Sequence, residues 1–271
     1  MSAYVGYFAA RFRTQLQYRA AAWAGIGTQV FFGMVRVMIF DALYRSSIIS
    51  QPMTHEETMS YIWLGQALLM LIPFRLDFEL VHGIRNGNVV YEMARPVSLH
   101  RVWLARAVAD RFGPALLRCV PQVLFSVVVL RLLGLGHLAL SAPASGTAFA
   151  LFVFSIAIGT LVSAALSVLM TSVMFWTISG DGIMAIGLSA MWLLSGIEIP
   201  LLMFPEWFQP VLNFLPFRAM IDIPFRIYVG NIGVDGALGA IASQIGWLVA
   251  LIGAGAWSIR AGMRRLVVQG G

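Results

Sequence analysis

Few groupings in this chain could carry chemistry, and their spacing is wrong for it. His55-Glu56-Glu57 lacks the second histidine that a zinc-binding helix supplies one turn after the first. His82, His100 and His137 stand apart from any clustered ligands, so no metal is expected. Cys119 is the only cysteine, which excludes an internal disulfide and a cysteine cluster. In its apolar stretch it reads as a small core residue. Ser179-Gly180-Asp181-Gly182 has turn composition. A serine-protease reading would also need a histidine at membrane depth, and no apolar stretch contains one. All 18 basic residues are arginine, while a phosphate-binding loop needs a lysine. The expectation is a chain without catalytic residues, resident cofactor or ATP site of its own.

Two other sets of polar residues suit transport and docking. Gln29, Arg36, Trp63, Gln66, Trp192, Ser195 and Glu198 fall in apolar stretches, where polar groups are functional by default, and they could line a substrate pathway. Amides and aromatics serve helix packing equally well, and Arg36, near the end of its stretch, could snorkel to the interface. Arg118 lies deeper and needs a packed partner or an aqueous cavity. Glu198 and Asp222 could meet a cationic substrate, or pair with Arg218 or Arg226. The second set is Asp77, Glu79, His82, Arg85, Asn86, Glu92 and Arg95, a mixed-charge segment suited to docking a soluble partner. Its plainer alternative is a solvated loop.

The elements that position these residues follow from composition. Apolar residues make up 59% of the 271 positions and charged residues 11%, with mean hydropathy +0.83. Soluble domains carry about 25% charged residues, so lipid is the natural solvent here. Six stretches approach the roughly 20 apolar residues of a spanning helix: 21–40, 58–75, 109–133, 146–172, 183–203 and 239–259. Residues 1–18 differ. Tyr4, Phe8, Phe12 and Leu16 form one stripe opposite Arg11, Arg13, Gln15 and Gln17, as in a helix lying in the interface. An ordinary helix packed on a partner is the alternative. Arg11 and Arg13 follow the first apolar run, opposite to the order in a cleavable leader.

Arginine placement sets orientation. With the N-terminus inside, Arg11, Arg13, Arg19, Arg75, Arg85, Arg95, Arg101, Arg106, Arg260, Arg264 and Arg265 are cytoplasmic, against Arg45, Arg218 and Arg226 outside. Both termini are then cytoplasmic. The net charge of +6 suits anionic lipid, and the scattered arginines form no nucleic-acid stripe. Two connections are long. Residues 76–108 predict a short charged helix, a turn at Asn86-Gly87, a break at Pro96 and a second helix capped by Ser98. Residues 200–238 hold Pro200, Pro205, Pro210, Pro216 and Pro224 among aromatics, which predicts short re-entrant or interfacial helices on the outside.

Gly83-Ile-Arg85-Asn86-Gly87, then Tyr91-Glu-Met-Ala-Arg95-Pro96-Val97, together with Leu215-Pro216-Phe217, Pro224-Phe225 and Tyr228, resemble the ABC-2 type permeases. These are the membrane subunits of ATP-binding-cassette exporters, and the likeness covers nearly the whole chain. The resemblance implies a single all-α, type V exporter-like membrane domain over 1–271. It implies a half-transporter in the bacterial inner membrane, paired with an identical or homologous six-helix permease. Two separate ATPase subunits would bind ATP and magnesium and dock near 77–88. The cargo expected is an amphipathic or cationic small molecule, such as a drug or natural product. An ion-gradient-driven secondary transporter is the alternative. It predicts inverted repeats and a mid-membrane carboxylate, and neither is evident. A scaffold anchoring a cytoplasmic partner is a third reading.

Overall fold

The structure, a computed structural model, describes residues 3–17, 19–46, 51–73, 76–177 and 180–264. Arg75, Ser179 and Arg265 lie outside the described residues. Every described element is helical. α1 (Ala3–Gln17) is followed by α2 (Arg19–Ser46), α3 (His55–Ala67), α4 (Phe78–Arg85) and α5 (Val89–Met93). α6 (Leu99–Leu124) continues through a π segment (Phe125–Val129) into α7 (Leu130–Leu132). α8 (Gly146–Ser172), α9 (Asp181–Leu194), α10 (Gln209–Phe214), α11 (Asp222–Val229) and α12 (Val234–Met263) complete the order.

Four described helical stretches are long and apolar enough to cross a bilayer: Ala22–Ser46, Leu99–Leu132, Gly146–Phe175 and Val234–Met263. Each reaches further than the sequence suggested. The second starts ten residues before position 109, so the helix expected from Ser98 and the span after it are one rod. Serine 98 does sit at the N-cap, but its side chain makes no capping bond. Its N–H instead donates to the Tyr4 hydroxyl at 3.1 Å.

The second and fifth expected spans are broken. α3 has 13 residues and passes into a 3-10 turn (Leu69–Leu71). Pro73 follows, and a residue before proline avoids the helical region; Ile72 is accordingly extended. α9 has 14 residues. Just beyond it, Gly196 takes φ +90°, a left-handed conformation that stops the helix. The start of α3 explains His55-Glu56-Glu57. Thr54 Oγ1 accepts from the Glu57 N–H at 3.2 Å while the Glu57 carboxylate accepts from the Thr54 N–H at 2.7 Å. That reciprocal pair is a capping box.

α3 is the buried centre, with Met59, Tyr61 and Trp63 among the largest fully enclosed side chains. α8 packs against α12, α11 and α6. Their polar contacts are specific: Ser155 Oγ donates to Gln244 Oε1 at 2.8 Å, and Gln244 Nε2 donates to the Ala219 carbonyl at 2.7 Å. Short polar bonds of this kind join helices where solvent gives no hydrophobic drive. By contrast, α2 exposes Trp23, Phe31, Phe32, Met38 and Ile39, an outward apolar face suited to lipid. A second apolar cluster sits at one end of the bundle. There Leu80, Val81, Ile84 and Val89 of α4 and α5 meet Trp103, Met174 and Ile259. Residues 200–233 are short helices and 3-10 turns, as the prolines predict.

Candidate functional site

The mixed-charge segment folds as a two-helix projection clamped to α1 and α6. Asp77 is the N-cap of α4, where its Oδ1 accepts from the N–H groups of Glu79 at 3.0 Å and Leu80 at 3.4 Å. Its other oxygen lies 2.9 Å from Arg106 and 3.5 Å from Arg11. Arg106 also reaches Glu79 at 2.5 Å and Glu92 at 3.5 Å. Arg11 reaches Asp110 at 2.8 Å and Glu79 at 3.4 Å. Partial burial alone would raise the Glu79 carboxyl, but the guanidiniums of Arg11 and Arg106 outweigh it and hold it below the ordinary value. Burial likewise works against the Arg11 cation, and the surrounding carboxylates more than compensate, so its pKa is raised.

This placement divides the expected docking residues. The Asp77 side chain is only 11% exposed and faces inward, whereas that of Glu79 is 65% exposed although bonded to both arginines. Glu92 accepts from Trp103 Nε1 at 2.9 Å. Arg85 pairs with Asp181 at the start of α9 at 2.6 Å, and Arg95 donates to the Tyr7 hydroxyl at 2.5 Å. Asn86 Nδ2 lies 3.3 Å from His82 Nδ1, and the His82 ring sits 4.5 Å from that of Phe78. The outward surface thus includes His82, Asn86 and two aromatics absent from the expected set, Phe78 at 68% exposure and Tyr91 at 76%. Alternation of charged and aromatic residues in 77–95 was the signal for them.

Of the seven expected pathway residues, Gln29, Gln66, Arg36 and Glu198 are joined by direct contacts, in close packing. Gln29 Nε2 donates to the Gln66 carbonyl at 3.3 Å. With its amide turned to satisfy both neighbours, Gln66 donates to the Gln29 carbonyl at 3.2 Å and accepts from Arg36 at 3.0 Å. Arg36 pairs with Glu198 and donates to the Ile197 carbonyl at 3.2 Å. Arg36 therefore points into protein and does not snorkel. Trp63 Nε1 donates to the Leu138 carbonyl at 2.7 Å, and Trp192 Nε1 to the Pro73 carbonyl at 3.1 Å. Ser195 Oγ accepts from the Ile197 N–H at 3.3 Å. The cluster joins α2 and α3 to the break after α9. Asp222, the other carboxylate expected to meet a cationic substrate, accepts from the Tyr61 hydroxyl at 3.2 Å and pairs with Arg226 at 3.5 Å.

Two further arginines lie on the long apolar helix Leu99–Leu132. Arg118 lies against α2, where a β-carbon on Gly25 would fall 2.5 Å from its Cζ, and among the described residues its Nε has no partner. Arg111 was not singled out by sequence. It is 5% exposed and held on α8 by Ser163 and Ser167. Its signal was there: an arginine following Asp110 at the start of an apolar run.

Comparison with curated proteins and with solved structures finds no match. Comparison with family models matches residues 54–270 to the ABC-2 family transporter proteins. That stretch is well over half of the chain, and it holds the projection, the proline-broken segment and three of the four long apolar helices. By that match, the chain is a membrane protein of the ABC-2 transporter family.

Proposed function

We propose that the chain is the membrane half of an ATP-driven exporter, powered by ATPase subunits that dock on α4 and α5. The observation that carries this reading is the projection itself: its base is braced by ion pairs, and its outer surface presents Phe78, His82 and Tyr91. A braced aromatic surface transmits a push, whereas a solvated loop absorbs it. Two ATPase copies would bind ATP and magnesium, and a second permease, identical or homologous, would complete the pathway. Six crossings are formed by α2, α3 with its 3-10 turn, α6, α8, α9 and α12. The arginine distribution puts both termini and the projection in the cytoplasm of a bacterial inner membrane.

The cargo is an amphipathic small molecule, a drug or natural product. A cationic cargo would meet Glu198 and Asp222 only in a state where Arg36 and Arg226 release them, since both carboxylates are paired here. The Gln29–Gln66–Arg36–Glu198 cluster is the element expected to separate as the pathway opens. Purification in mild detergent followed by mass spectrometry of co-purifying subunits tests the proposal. A stoichiometric ATPase supports it. A chain that purifies alone from cells expressing its neighbours would overturn it in favour of a gradient-driven transporter, for which collapse of the proton gradient would stop transport while ATP persists.

A further inference from the structure

Between α1, α4, α6 and α8 lies a cavity of about 620 Å3 whose two sides carry opposite charge. On the α1–α4 side are the carboxylates of Asp77, Glu79 and Asp110. Arg11 and Arg106 pair with these three acids, so among the described residues this side keeps an excess of one negative charge. On the α8 side is Arg111. Its Nε donates to Ser163 Oγ at 2.9 Å, one terminal nitrogen to the Ala107 carbonyl at 2.6 Å, and the other to the Ser163 carbonyl at 3.2 Å and to Ser167 Oγ. Every one of these acceptors is neutral; the nearby Asp110 carboxylate attracts the guanidinium but makes no ion pair with it and is bonded to Arg11 instead. One terminal N–H is left over.

A buried cation without an anion is costly, and proteins pair such charges or place them where a ligand will. The hold on Arg111 is itself braced, because Ser163 Oγ donates to the Leu71 carbonyl at 2.7 Å and so turns its lone pairs toward the guanidinium. Met70, Ile72, Leu76 and Val168 line the same space and suit hydrocarbon.

We propose that this cavity holds the headgroup of a zwitterionic amphiphile, its phosphate against Arg111 and its primary ammonium against Asp77, Glu79 and Asp110. A phosphatidylethanolamine of the surrounding leaflet and a transported amphiphile of the same headgroup share this chemistry. The site needs only a chain embedded in lipid and goes beyond the exporter reading.

The test is native mass spectrometry of the full chain released from nanodiscs containing equal fractions of phosphatidylethanolamine, phosphatidylglycerol and phosphatidylcholine. One phosphatidylethanolamine should be retained roughly tenfold over either competitor, the discrimination expected of one charge-assisted bond. Arg111→Gln should lower retention of all three lipids, because the phosphate it holds is common to them. Asp110→Asn, a gentler change, should shift retention toward phosphatidylglycerol. Equal retention of the three lipids, or phosphatidylglycerol retained as well as phosphatidylethanolamine and indifferent to Asp110→Asn, would overturn the assignment. ATPase capture measured on the same preparation separates the two proposals, since lost selectivity with capture intact sinks the headgroup site alone. In proteoliposomes of the full complex, ATP-dependent movement of labelled phosphatidylethanolamine marks the bound molecule as cargo. Retention through turnover marks it as resident lipid, and both results support the headgroup assignment.

Discussion

Arg11 of α1 and Asp110 of α6 are 99 residues apart in sequence and 2.8 Å apart in space. That contact turns an amphipathic N-terminal helix into part of the bundle. Phe12 and Gln15 lie over Gly113, where a β-carbon would meet Gln15 Cβ at 2.9 Å, and the Phe12 ring is 6.3 Å from that of Phe112. The stripe read as interfacial is thus in part a seam with α6, and its residues remain only partly covered.

Arg106 is the keystone of the clamp, since it alone contacts Asp77, Glu79 and Glu92 together. Arg106→Met should destabilise the protein by about 3 kcal/mol, the scale for removing one partner of a buried pair. Thermal unfolding in detergent checks this. A midpoint equal to that of the unaltered chain would show the network to be ornamental.

Phe78 and Tyr91 should behave in the opposite way. Tyr91→Ala and Phe78→Ala leave the clamp intact, so unfolding should be unchanged, while ATPase binding weakens roughly tenfold each, as for aromatic anchors at interfaces. Titration of purified ATPase against reconstituted permease measures it. Undiminished affinity in both variants would move the docking surface elsewhere.

Acid should loosen the clamp. Because the folded Glu79 carboxyl titrates below its ordinary value, its contribution is complete above the unfolded value, near pH 4.3, and disappears as pH falls through the folded one. Hydrogen exchange of α1 amides should be slow and constant at neutral pH and should rise in acid. Glu79→Gln should give faster exchange already at neutral pH and a flatter acid response.

Gly159 offers a steric test of the proline-broken segment. A β-carbon there would lie 2.5 Å from the Met220 carbonyl oxygen and 3.0 Å from that of Ala219. Both are backbone atoms, unable to swing aside as a side chain would. Gly159→Leu should cost about 3 kcal/mol or more through overpacking and lower the yield of folded protein. Gly146→Leu, at a position with open space, should not. Equal yields of the two would mean that α8 does not approach residues 219–220 this closely.

Composition and periodicity determined much by themselves. A chain with 59% apolar residues and 11% charged ones suits lipid, and four of its six apolar runs fall on helices long enough to cross a bilayer. Local rules were equally legible: the turn at Asn86-Gly87, the break at Pro96 and the proline-cut outer segment need only neighbouring residues to be understood. What charges do at long range was not legible. Asp77 and Glu79 read as partner-facing because the loop lies outside the apolar runs, yet Arg11 and Arg106 fold back onto them. Glu198 read as open to cargo, and Arg36, 162 residues away, occupies it. Arg111 drew no notice, because its worth comes from α8 placing two serines around it and no acid. Periodicity reports which face of a helix is apolar. Only tertiary packing decides which charge meets which, because the attraction depends on distance in space and not on separation along the chain.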